Sequence, residues 1–184
     1  MRQHVMEVTT MRSFRWRSLL GASVFLYLLY GAANVLAALS VPITLLRGGA
    51  GATAVVLDPE SDAYLAGGKE VIDALRSTNP KLDTLLVSSM VSMCAQMMAF
   101  AIVAILVTWF AIRRGQSWGL WAVAAAALAQ IPYYAAILTM YAAHGAPLGG
   151  SVAGLSTFSV GPLIALALGL AGIRRMRLAP TTGS

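Results

Sequence analysis

Few groups in this chain can make or break bonds. Of its 184 residues two are histidines, His4 and His144, and one is a cysteine, Cys94. A zinc hydrolase gathers His, Glu or Cys at short ligand spacings, and two isolated histidines offer none. A lone cysteine excludes an intrachain disulfide and dithiol redox chemistry within one chain. One nucleophile–base pairing is left, His144 with a serine such as Ser88 or Ser151, but no orienting acid or oxyanion hole goes with it. The sequence therefore predicts a non-catalytic protein with no metal and no cofactor. What remains within its long apolar stretches is a set of amides and hydroxyls: Asn34, Gln96 and Gln130, with Tyr133 and Tyr134 beside the last.

These groups matter because of what surrounds them. The chain is 58% hydrophobic and 11% charged, with mean hydropathy +0.74, whereas a soluble domain carries about 25% charged residues. Four stretches exceed the roughly 18 apolar residues that cross a bilayer as a helix: about Leu19–Leu46, Leu85–Ile112, Trp118–Ala143 and Ser151–Ile173. None contains Asp, Glu, Lys, Arg or His, so the buried carboxylate or histidine of a proton-coupled carrier is missing. The first two are long for a hydrocarbon core and should tilt or kink, the first at Pro42. The predicted fold class is all-α: an integral membrane protein forming a single domain, a four-transmembrane-helix up-down bundle with a short outer amphipathic helix in the first loop.

Orientation follows from the arginines. Arg2, Arg12, Arg15 and Arg17 precede the first span, Arg113 and Arg114 join the second to the third, and Arg174, Arg175 and Arg177 follow the fourth. These segments hold one acid, Glu7. The other side has Arg47, Lys69, Arg76 and Lys81 against six acids. The Lys/Arg bias puts the first group, and both termini, in the cytoplasm. Trp16, Trp109, Trp118 and Trp121 fall at the same face, as interfacial indoles do. The apolar run after the first arginines is longer than the roughly 7–15 residues of a signal-peptide core. It therefore reads as an uncleaved anchor, despite the small residues Gly31-Ala32-Ala33. Arginine in preference to lysine, with abundant Ala and Gly, points to a GC-rich bacterium and hence to its plasma (inner) membrane. The net charge of +6 is spent at span ends, so no nucleic-acid partner is expected.

The outer loop, 47–84, opens with a flexible run, Gly48 to Ala52. Asp58-Pro59-Glu60 then reads as a helix start. Tyr64, Leu65, Val71, Ile72 and Leu75 recur at helical spacing, interrupted by Gly67-Gly68, and predict a lid over the outer mouth. Met1–Thr10 and Leu178–Ser184 are expected to be disordered.

Counting along each span places Asn34, Gln96 and Gln130 near its midpoint, level with Gly161-Pro162 of the fourth. Proline lacks an N–H, so Pro162 frees the carbonyl of Phe158 and Pro132 that of Leu128. Carboxamides at that depth are expected to clamp helices together; the alternative is a midplane ligand site completed by Tyr133 and Tyr134. Hydroxyls crowd the outer halves (Ser40, Thr44, Ser88, Ser89, Ser92, Thr139, Tyr141, Ser156, Thr157, Ser159). The inner halves hold Ser23, Tyr27 and Thr108. The outer set either lines a blind vestibule or bonds back to its own helices.

Met90, Met93, Cys94, Met97 and Met98 cluster on the second span, and soft sulfur ligands suit Cu(I). The one-turn spacing of Met93 and Met97 resembles the paired methionines of Ctr-type copper transporters, which would imply copper transport. The resemblance covers five residues; the long outer loop, the fourth span and the lack of a Met-rich tail depart from it. Methionine is also ordinary core filler. Gly161, Ala165 and Gly169 form a small-residue stripe, flanked by Gly154 and Gly172, for close helix packing inside the bundle or in a dimer. The expected partners are the lipid bilayer and another membrane protein or a second copy. The function predicted is that of a subunit, scaffold or partner-binding protein; the alternative is binding or transport of a small neutral or apolar solute through an outward-facing vestibule.

Overall fold

The computed structural model describes residues 14–178. Met1–Thr10 and 179–184, expected to be disordered, lie outside the described residues, while Leu178 closes the last helix. Among the described residues all regular structure is helical. The elements are α1 (Leu19–Gly48), a 3-10 turn (Ala50–Ala52), α2 (Pro59–Leu65), α3 (Lys69–Thr78) and α4 (Pro80–Phe110). A second 3-10 turn (Ile112–Arg114), α5 (Ser117–Leu128), α6 (Ile131–Ala143) and α7 (Gly149–Leu178) follow. Four helical stretches are long and apolar enough to cross a membrane, the third being α5 and α6 together.

Local chemistry sets the boundaries. Ser18 caps α1 by accepting the Gly21 N–H at 3.0 Å, and Gly49, at φ 80°, ends it. Asn79 caps α4, with Pro80 in the first turn where its missing N–H costs nothing. Gly115, left-handed at φ 76°, turns the chain from α4 into α5. Prolines act differently in different places. Pro42 and Pro162 sit inside unbroken helices, whereas the third span is split before Pro132. There the backbone ladder stops at Ala129 N–H to Ala125 O (2.9 Å) and resumes at Tyr134 N–H to Gln130 O (3.1 Å). Packing explains the contrast: Pro162 is buried against α1, but 129–133 are all exposed, with no neighbour to hold them straight.

Helix α1 is the hub. It packs along α4 on one side and α7 on the other; α5 packs on α7, α4 meets α5 close to their turn, and α6 touches α7 sparsely. One end of the molecule gathers Phe14, the 112–114 turn and the end of α7. At this arginine end lies a core built on Leu20, Val24, Tyr27, Leu120 and Ala165. A smaller core at the opposite, acidic end joins Leu45, Ala50, Val55, Ile72 and Val87, fixing α3 to α1 and α4.

The α1–α7 contact is close because α7 is small there. A Cβ on Gly172 would lie 2.6 Å from the Leu20 backbone nitrogen, and one on Gly169 would fall 2.7 Å from Ser23 Oγ and overlap Leu120. Across this approach Ser23 Oγ donates to Ala165 O at 2.6 Å. One turn later Tyr27 O–H donates to Pro162 O at 3.2 Å. Both hydroxyls are fully buried. Gly161, by contrast, has open space where a Cβ would go. Gly169→Leu is therefore expected to overpack the contact and cost about 1–3 kcal/mol or more. Gly161→Leu should stay within about 0.5 kcal/mol. Chemical or thermal unfolding in detergent compares the two.

Candidate functional site

The expected midplane belt is not assembled as one cluster. Asn34 is buried, but its Nδ2 donates to Tyr30 O at 2.8 Å, one turn back on its own helix. Gln96 and Gln130 are exposed, and neither side chain makes a hydrogen bond among the described residues. Tyr133 is 75% exposed. Tyr134 is half-buried and lines a cleft of about 150 Å³ between α6 and α7 with Leu57, Leu138, Ser151, Leu155 and Phe158. Counting residues fixes a side chain's level on a helix but not its azimuth, and azimuth separates these groups. The bonds between spans come instead from the Ser23 and Tyr27 hydroxyls, nearer the arginine end. Hydroxyls four residues apart on one helix, level with small residues on another, were the signal that could have found them.

Four of the outer hydroxyls turn back on their own helices. Thr44 bonds to Ser40 O, Thr139 to Ala135 O, Ser156 to Val152 O and Thr157 to Ala153 O, at 2.8–3.0 Å. A hydroxyl satisfied this way needs no water-filled cavity. Cys94 is buried while Met93 is exposed. Among the described residues no three His, Cys, Asp or Glu side chains group to hold a metal ion. Exposed His144 has neither Ser88 nor Ser151 as a hydrogen-bond partner; Ser151 gives its hydroxyl to Asp58.

The acidic end is built more firmly than a single amphipathic lid. In place of one short helix there are two, α2 and α3, because Gly67 and Gly68 adopt φ of 91° and 136° and break the run. Asp62, an acid between the apolar residues of the outer loop, is buried. It accepts the N–H groups of Val55 (2.7 Å), Val56 (3.0 Å) and Leu57 (3.3 Å), and the Tyr141 hydroxyl at 2.8 Å. Asp58 caps α2 through the N–H groups of Glu60 and Ser61 and also binds the Ser61 and Ser151 hydroxyls. Buried Asp83 accepts the Ala50 N–H at 2.7 Å. Arg76 donates to Arg47 O at 2.7 Å and Leu46 O at 3.3 Å, closing the end of α1. These carboxylates tie the cap to α4, α6 and α7. Backbone donors satisfy them, which patterns of side-chain type do not reveal.

The break in the third apolar stretch interrupts the backbone ladder at an exposed surface. Ala129 and Gln130 lie midway along Ser117–Ala143, α6 begins without a side-chain cap, and the Gln130 carboxamide stands beside the interrupted backbone. The site offers hydrogen-bond donors and acceptors on an apolar surface.

Two opposing influences act on Asp58. Partial burial raises its pKa, and hydrogen bonds from Ser151, Ser61 and the Ser61 and Glu60 backbone lower it further, to a net value below the ordinary one. A carboxyl with a lower pKa folded than unfolded stabilises the fold above its unfolded value, and that contribution fades as pH falls through the folded one. Acidification below the ordinary aspartate range is therefore expected to loosen α2 from α7, seen as faster amide exchange over 55–66. Asp58→Asn should remove that pH dependence. Comparison with known proteins gives no match: no protein-family model, no curated protein and no solved structure matches this chain.

Proposed function

We propose that this chain is a non-catalytic, partner-binding membrane protein. It crosses the plasma membrane four times as an up-down bundle, arginine end and both termini in the cytoplasm, and presents its third span to another membrane helix. Support for insertion comes from where the apolar residues lie. Of the most apolar windows of the four stretches only 28%, 17%, 17% and 33% is buried. Large side chains such as Phe25, Leu36, Ile43, Val103 and Phe110 point outward, as hydrocarbon surroundings permit and water does not. The tryptophans Trp16, Trp109, Trp118 and Trp121 are exposed near the arginine end, where a headgroup layer would meet them.

The observation that carries the partner-binding reading is the exposed break at Ala129–Gln130. Irregular backbone at membrane depth is tolerated where protein buries it or water reaches it, not against lipid. Gln130 at the same spot supplies a donor and an acceptor, the kind of group that joins helices. A photo-crosslinking residue at Ile131 is expected to give a protein–protein adduct in cells, of twice the chain's mass if the partner is a second copy. The same probe at Leu36, 67% exposed, should give lipid adducts alone. Gln130→Leu should reduce the Ile131 adduct several-fold without changing helix content. Lipid adducts alone at both positions would refute the reading.

A second reading, binding of a small neutral or apolar solute from the acidic end, is favoured by the cleft beside Tyr134 and Phe158. A Cβ on Gly154 meets open space, so Gly154→Leu would fill that cleft. Under this reading the variant loses binding of xenon, a probe for small apolar cavities, and leaves the Ile131 adduct unchanged.

A further inference from the structure

The arginine end holds a feature that the partner-binding reading leaves unused. Residues Phe14–Ser18 fold back over the first turn of α1: Ser18 Oγ donates to Arg15 O at 2.6 Å while accepting the Gly21 N–H at 3.0 Å. The fold-back requires glycine at 21, because a Cβ there would collide with the carbonyls of Trp16 and Arg15. It sets Arg15 between two adjoining clefts. One, of about 460 Å³, is rimmed by Arg15, Arg113 and Arg114 with Phe14 and Trp109. The other, of about 700 Å³, is rimmed by Arg15, Arg17 and Arg175 with Trp16. Leu20 and Met176 line both. Arg113 is held in place by its rings, 4.4 Å from the Trp109 centroid and 5.4 Å from that of Phe14.

Five guanidinium groups thus surround one locality with no counter-charge among the described residues. All six described acids lie between Asp58 and Asp83 at the opposite end, and the ion pair there is Lys69–Asp73 at 3.0 Å. Guanidinium matches phosphate oxygens in a planar, two-pronged fashion. The apolar floor and indole rim have nothing to offer a fully hydrated anion, whereas a phosphate carrying a glycerol backbone and acyl chains meets both parts. Basic clefts between helices at a membrane face recognise headgroups in this way. We propose that these two clefts form a binding site for the phosphate headgroup of an anionic phospholipid, with Arg15 and Arg113 as its principal contacts. The proposal rests on the membrane-spanning reading above.

The test uses the full chain in neutral detergent. Dioleoyl phosphatidylglycerol is titrated against dioleoyl phosphatidylcholine, with native mass spectrometry counting bound lipid, and inorganic phosphate alone forms a third arm. Retained phosphatidylglycerol, little retained phosphatidylcholine and no effect of millimolar phosphate are expected. Each arginine contributes about 1 kcal/mol near such a surface, or about fivefold in affinity. Arg15→Gln and Arg113→Gln should thus each weaken phosphatidylglycerol retention about fivefold, and Arg174→Gln, outside both clefts, should not. Arg15 makes no side-chain hydrogen bond among the described residues, so its variant is expected to fold; helix content checks this. Equal retention of both lipids, or an Arg15→Gln variant that keeps its preference, would overturn the proposal. If phosphate alone displaces the lipid at equal concentration, the clefts read a free anion and the lipid assignment fails. A chain that stays monomeric in water without detergent would instead overturn the membrane reading, before any lipid is added.

Discussion

The near approach of α1 to α7 organises this molecule. Gly169 and Gly172 leave no side chain between the helices, and Ser23 and Tyr27 reach carbonyl oxygens of α7 through the gap. Each such bond is worth only about 0.6 kcal/mol between helices in hydrocarbon. Their value lies in register: two hydroxyls one turn apart accept one sliding position and one rotation. With α1 and α7 locked, α4 has one remaining flank of α1 to occupy and α5 one flank of α7. Pro162 stays straight because this contact buries it, although it lacks the N–H that would bond to Phe158.

Away from that contact the helices are held unequally. At the acidic end buried carboxylates join the segments, and each is matched to N–H or O–H donors rather than to cations. Neutral donors spread around a carboxylate lessen the penalty of burying its charge. At the arginine end no acid lies among the described residues, and the Phe14 and Trp109 rings flank the Arg113 guanidinium instead. α6 belongs to neither region. It leans on α7 with few contacts, and the backbone between it and α5 is exposed. The molecule therefore has a tightly determined half around α1 and a loosely determined flank along the third span.

That division bears on function. In the determined half the buried hydroxyls of Ser23, Tyr27 and Thr108 are bonded to carbonyls and the one thiol is buried. What the loose flank offers is an uncapped helix start and an exposed carboxamide, a surface for hydrogen bonding. The proposed roles divide along the same line, with recognition of a neighbouring helix at the third span and of lipid phosphate at the arginine end.

The sequence alone determined the number, length and helical nature of the four apolar stretches, the segregation of arginine from acid, and the helix start at Asp58-Pro59. These depend on composition and on neighbours along the chain, which is why they are legible residue by residue. It also marked Ala165 and Gly169 as small residues at helical spacing. Only the tertiary structure decided which faces meet. It put Asn34 inside and Gln96 and Gln130 outside, though counting residues sets all three near the middle of their apolar stretches. It turned Asp62 inward to backbone donors that no side-chain pattern encodes, and it gave the helix-to-helix bonds to Ser23 and Tyr27. Rotation about a helix axis is fixed by packing against distant segments, and in a chain apolar on every side hydrophobicity leaves that rotation unmarked.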